Sequence, residues 1–130
     1  MNAPPTTALQ HPAEQEQRTT RQRAVVAMLR PLLPAHSLLW TDEETLPYEC
    51  DGLTAYRQQP LAVALPEDEE QVAAVLKACH ALKVPVVARG AGTGLSGGAL
   101  PHAMGLTLSL AKFNRIVKLD PHTRTARVQC

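Results

Sequence analysis

At 130 residues and 45% apolar, the chain is long enough for one modest domain and too hydrophobic for intrinsic disorder. Its 13 basic and 12 acidic residues are mixed along the sequence for a net charge of +1, and only 3% of residues are aromatic. That pattern excludes the basic patch of a nucleic-acid binder.

Cys50, Cys79 and Cys130 are odd in number, widely spaced and without a CxxC pair. This argues against a zinc or iron–sulfur site and for a reducing, cytoplasmic setting. No apolar stretch approaches the ~18 residues of a membrane span, and the N-terminus has neither the basic nor the apolar region of a secretory signal. Membrane association is therefore expected to be peripheral at most.

In chain order, residues 1–19 combine Pro, Thr, Gln and Glu without apolar periodicity and read as a flexible tail. Thr20 offers an N-cap for a helix in which Val25, Met28, Leu29, Leu32 and Leu33 share a face; Pro31 shortens its last turn and Pro34 closes it. Residues 41–60 show no period and carry Asp51-Gly52 and two prolines, so 20–60 reads as a helix followed by an irregular connection. Leu61 to Leu65, halted by Pro66, has the character of a buried strand. Asp68 then caps a helix with Gln71 at the capping-box position, and Val72, Val75, Leu76, Cys79 and Leu82 form its apolar face. Pro85 restarts an extended run, so strand, helix and strand favour a parallel pair. After Gly98 the sequence predicts a strand over 105–110, then an antiparallel hairpin of 115–120 with 125–130. A domain ending on a strand leaves a sheet edge open, which implies that the chain is the opening part of a longer protein.

Between the second strand and the third lies "ARGAGTGLSGG", residues 88–98, with five of the seven glycines. Gly92 to Gly97 matches GxGxxG, the dinucleotide fingerprint, which requires a helix opening at the glycines. Gly98, Pro101 and Gly105 leave no room for one, and although Asp120 mimics the ribose-binding acid, no crossover helix precedes it. No lysine falls in the loop to make a Walker A motif. The remaining chemical reading is an anion-binding nest of successive backbone N–H groups, with Thr93 and Ser96 as hydroxyl donors and small Ala91 keeping the approach open. The bland alternative is a flexible turn between strands. Arg89 either helps hold an anion or pairs with a nearby acid. His80 reads as a partly buried or surface histidine, His102 as an exposed loop histidine with an approach to a phosphate as its alternative, Cys79 as a small core residue, and the acidic run Glu67 to Glu70 as a helix start.

The blocks "AVALPEDEEQVAAVLKACH" and "PVVARGAGTGLSGGALP" resemble the FAD-binding domain of the vanillyl-alcohol-oxidase and p-cresol-methylhydroxylase superfamily, in its FAD-linked 2-hydroxy-acid dehydrogenase branch. With "TLPYECDGLTAYRQQPLAVALP" and "FNRIVKLDPHTRTARVQC", the similarity narrows to the FAD-binding subunits of bacterial glycolate oxidases and spans about 38–130. The resemblance implies an α+β fold: residues 61–130 are the first part of a PCMH-type FAD-binding domain, with strand, helix and strand leading into a pyrophosphate loop and then antiparallel strands, incomplete at the C-terminal end. It places the FAD diphosphate on Gly90, Ala91, Gly92, Thr93, Gly94, Ser96 and Gly97, with Arg89 beside it and Pro66 near the adenine half. Branches that bind flavin covalently here carry a histidine in the loop; Thr93 stands in its place, which implies non-covalent FAD. The resemblance further implies oxidation of glycolate or a similar 2-hydroxy acid such as D-lactate, with a second flavin-domain subunit and an iron–sulfur subunit as partners, in the cytoplasm or peripheral at the inner membrane. No catalytic residue or metal ligand is nominated, because in the family these lie downstream. A chain of this length by itself would at most hold FAD.

Overall fold

The sheet is built from short apolar segments that only burial on both faces can hold. A computed structural model describes residues 12–129, in which β1 (Leu38–Leu39), β2 (Ala62–Ala64), β3 (Val86–Arg89) and β4 (Leu106–Ser109) form one sheet in the order β1-β2-β4-β3. β1 runs antiparallel to β2, while β2, β4 and β3 are mutually parallel. The parallel pair expected of β2 and β3 is thus parallel but not adjacent: β4, the first strand after the glycines, inserts between them. β4 is buried at every position, as parallel strands covered on both faces are.

One face of this sheet carries Leu106, Leu108, Ala62 and Ala64 against Val25, Leu29, Val75 and Cys79 of α1 (Pro12–Leu29) and α3 (Glu69–Ala81). Leu29, Leu61 and Leu106 are wholly buried, each contributing about 2 kcal/mol of apolar transfer. Burial also pushes the Cys79 thiol pKa up, as befits a core residue. Leu76 and Leu82, placed on the core face by periodicity, are instead 44% and 41% exposed. They line two clefts of about 550 Å³ each that flank Val84, one bounded by Thr20, Arg21 and Leu82, the other by Leu76, Lys77 and His80.

The tail expected over 1–19 needs correction where it can be seen. Residues 1–11 lie outside the described residues, but Pro12 to Thr19 is the opening of α1, with Pro at the first position where its missing N–H costs nothing. Arg18 fixes this turn by donating to the carbonyls of Ala103 at 2.7 Å and Pro60 at 3.0 Å. Such tertiary anchoring leaves no apolar period to read. Within the connection of 41–60, Thr41 and Glu44 form a capping box on a one-turn helix, α2 (Asp42–Thr45). α3 starts as expected, with Asp68 accepting from Gln71 N; the Gln71 side chain reaches back to Glu67 N. It ends in a Schellman motif, Val84 N to Cys79 O and Lys83 N to His80 O, that puts Lys83 at φ +51.

β5 (Ile116–Asp120) and β6 (Thr125–Val128) pair antiparallel as a separate hairpin. Asp120 Oδ1 accepts from the N–H groups of His122 and Thr123, so it holds the turn, and its pKa is lowered first by the Thr123 backbone bond. Cys130, expected to end the hairpin, lies outside the described residues.

At the C-terminal end of β2, Glu67 Oε1 accepts from Lys112 Nζ and His36 Nε2, both at 2.8 Å, and Lys112 also reaches Ser37 Oγ at 2.7 Å. Lys112 and then His36 hold the Glu67 carboxyl pKa at about 2, down from 4.5. A carboxylate depressed on folding stabilises above its ordinary pKa, and that contribution is lost as pH falls through the folded value. Urea midpoints should therefore drop more steeply between pH 4.5 and 2 for the wild type than for Glu67→Gln, and parallel curves would count against this cluster. Lys83→Gly should raise stability by ~0.5–1 kcal/mol, since glycine takes a positive φ without steric cost; an unchanged or lower denaturation midpoint would contradict it.

Candidate functional site

The parallel register sets the site's position. Ala64, Leu108 and Ala88 stand level across β2, β4 and β3. Two residues further on, Pro66, Leu110 and Gly90 leave the sheet at the same end, the carboxyl end where open parallel sheets bind ligands. Leu110 N still donates to Arg89 O at 2.9 Å, so β3 and β4 hold together up to the first glycine. Pro66 is buried and about 10 Å from the β3 terminus by strand spacing.

From Gly90 to Gly98 no backbone N–H donates to another described group; the next one, Ala99 N, is held by Asp51 Oδ2 at 3.4 Å, and Leu100 N closes a turn onto Gly97 O. Gly92 at φ +70 and Gly97 at φ +75 each follow a residue of negative φ, the sign alternation that turns successive N–H groups into a concavity. Gly90, Gly94 and Gly98 are different: φ there is not in the left-handed region, and a Cβ would meet nothing within 4 Å. This chain's own packing does not require glycine at those three positions. A cradle that a Cβ would narrow is what a group lying against the backbone requires. Thr93 and Ser96 are exposed on the same run, as is Ala91.

Among the described residues, Arg89 pairs with no acid. Its Nη1 donates to Cys50 O at 2.7 Å, its guanidinium lies 5.5 Å from the centroid of the Tyr48 ring, and its far side packs on Gly92, where a Cβ would collide with it. Parity along β3 puts Arg89 on the sheet face opposite α3, together with Val87, and β4 contributes Thr107 and Ser109 to that face. The segment 48–53 therefore lies on this second face and meets the loop. Gly52 lets it come close: a Cβ there would stand 2.7 Å from Thr93 O and 2.8 Å from Gly94 O. Asp51, only 4% exposed, accepts from Leu53 N at 2.9 Å and from Ala99 N.

The structure thus brings Arg89 and the glycine run together and puts Pro66 at the same end of the sheet. It adds Tyr48, Asp51 and Gly52, whose roles the sequence did not assign; Asp51-Gly52 reads there as a turn. His102 Nδ1 accepts from Met104 N at 3.1 Å and His80 lines a cleft, so neither joins the loop. Neither of the two 550 Å³ clefts is lined by a loop residue. Among the described residues, no helix is long and apolar enough to cross a membrane.

Comparison with known proteins agrees with this geometry. A family described as FAD binding domain matches residues 60–130, more than half of the chain. The glycolate oxidase subunit GlcD of Escherichia coli (strain K12) is 57% identical over 106 residues, covering 82% of this chain and 21% of its own. A D-lactate dehydrogenase of Anaerostipes hadrus is 35% identical over 68% of this chain and 19% of its own. Among solved structures, p-cresol methylhydroxylase with substrate bound matches with a TM-score of 0.65 and 27% identity over 78% of this chain and 21% of that one. The chain spans about a fifth of the length of these relatives. With its sheet, its helix-free glycine connection and the matched sequence in agreement, the chain belongs to the FAD binding domain family.

Proposed function

We propose that the chain is the FAD-binding opening of an FAD-linked dehydrogenase subunit that oxidises glycolate to glyoxylate. The observation that carries this reading is the run of N–H groups from Gly90 to Gly98, free of described acceptors and bent by two left-handed glycines, at the carboxyl end of a parallel sheet. In it, Gly90, Ala91, Gly92, Thr93, Gly94, Ser96 and Gly97 hold the FAD diphosphate through backbone N–H groups, with the Thr93 and Ser96 hydroxyls as further donors. Arg89 shapes the start of the loop through Cys50 and Tyr48, and Pro66 stands toward the adenine half. Thr93 has no nucleophilic nitrogen, so FAD is held non-covalently.

When bound, FAD supplies the hydride acceptor for oxidation of a 2-hydroxy acid. This chain's residues contribute binding and orientation. The base and the cation that the substrate needs come from outside residues 12–129. In the same reading the whole protein works with a second flavin-domain subunit and an iron–sulfur subunit, in the cytoplasm or peripheral at the inner membrane. The likeness to a D-lactate dehydrogenase favours a second reading, in which the substrate is D-lactate or a related D-2-hydroxy acid.

Native mass spectrometry of the full-length protein should find one FAD per chain, and its kcat/KM for glycolate should exceed that for D-lactate by about tenfold or more, the discrimination a pocket achieves over one methyl group. The reverse ratio would establish the second reading, and a flavin-free protein would overturn both. Gly94→Ala should leave the FAD-free melting temperature within about 2 °C, because its Cβ meets open space. It should weaken FAD by about tenfold, the worth of one obstructed charge-assisted bond. Unchanged affinity would count against the cradle.

A further inference from the structure

The glycine loop carries few bonds of its own, yet it is tied to one segment, Tyr48 to Leu53, on both sides of its free N–H groups. Before the run, the Arg89 guanidinium binds Cys50 O and lies over Tyr48. After it, Asp51 Oδ2 takes the N–H of Ala99. Between these ties, the carbonyls of Thr93 and Gly94 rest on Gly52, where no Cβ intervenes. Asp51 is buried and divides its two oxygens between its own turn, through Leu53 N, and the loop.

We infer that this segment is a brace that holds the loop in its anion-binding shape before any cofactor arrives, and that Asp51 is its positioning residue. The inference rests on the FAD reading. Asp51 touches no ligand in it: by fixing Ala99 and the 50–53 turn, it removes the ordering cost a free loop would meet on binding. It also turns Thr93 O and Gly94 O toward Gly52, so that these carbonyls do not face the diphosphate.

The test uses the full-length protein with FAD removed, titrated with FAD by flavin fluorescence, alongside amide hydrogen exchange of the loop. In the wild type, the Ala99 amide should exchange at least about tenfold more slowly than those of Gly94 and Gly97, whose N–H groups have no described partner. Equal rates would overturn the brace without any variant. In Asp51→Asn, one carboxylate acceptor becomes an amide donor, so the side chain can serve Leu53 N or Ala99 N but not both. FAD should bind about tenfold more weakly and loop exchange should rise, while the FAD-free melting temperature stays within about 3 °C. Glu43→Gln, an exposed side chain on α2 outside the brace, should change FAD affinity less than about twofold. Asp51→Asn binding FAD like the wild type, or losing affinity only in step with a fall in melting temperature, would overturn the brace and leave the FAD reading standing. A wild type that binds no FAD would overturn the reading itself.

Discussion

The parallel pairing of β3 with β4, consecutive in sequence and adjacent in space, is the constraint from which the site follows. Parallel neighbours cannot be joined by a tight turn: the chain must leave the carboxyl end of β3 and return to the amino end of β4. In most α/β units a helix makes that return and satisfies its own backbone. Here residues 90–105 make it without one, as Gly92, Gly97, Gly98 and Pro101 break any helical run. Backbone N–H groups along such a connection need acceptors from elsewhere, and from Gly90 to Gly98 this chain supplies none among its described residues. An anion is the acceptor that such a row suits best, and the sheet geometry delivers the row at the ligand-binding end.

A helix-free cradle raises a cost that a helix N-terminus does not have. A helix holds its first N–H groups in place through hydrogen bonds further along, whereas an open loop must be ordered by contacts outside itself. The 41–60 connection provides them. Its length is not slack between elements, because Cys50 O holds Arg89 at the end of β3 and Asp51 holds Ala99 just past the free N–H groups. Asp51, Gly52 and the Cys50 carbonyl are where that connection meets the loop. The end of β3 and the loop are in this way held by one segment, which ties the sheet to the site.

How much of this could be read from residues alone follows the range of each signal. α3 was legible because its cap, its acidic first turn and its apolar face are local and agree with one another. The hairpin of β5 and β6 was legible for the same reason. Pro12 to Thr19 was misread as tail because its helix is held by Arg18 reaching Pro60 and Ala103, far away in sequence. Leu76 and Leu82 were misread because periodicity gives a face but not what lies against it; they end beside open clefts at the β3 edge. The glycine run announced a close approach, but of the two roles open to Arg89 spacing could not choose, and its contacts with a backbone carbonyl and a tyrosine face leave no trace in the sequence. Asp51 was seen only as half of a turn dipeptide, since neither its burial nor its bond to Ala99 leaves a trace in spacing.

GxGxxG itself shows why spacing underdetermines fold. In a dinucleotide fold the three glycines serve a tight turn, an approach to the pyrophosphate and the packing of a helix on its strand. In this chain Gly92 and Gly97 set the left-handed bends, Gly94 has an ordinary φ and open space, and the packing role passes to Gly52, outside the motif altogether. In the proposed function the same letters answer the same electrostatic problem, donors for an anion, with the helix dipole replaced by individually exposed N–H groups. What separates the two solutions in sequence is not the motif but the residues after it. Helix formers throughout 98–105 would be needed for the first; Gly98, with Pro101 and the close approach of Gly105 to Pro85 O behind it, permits only the second.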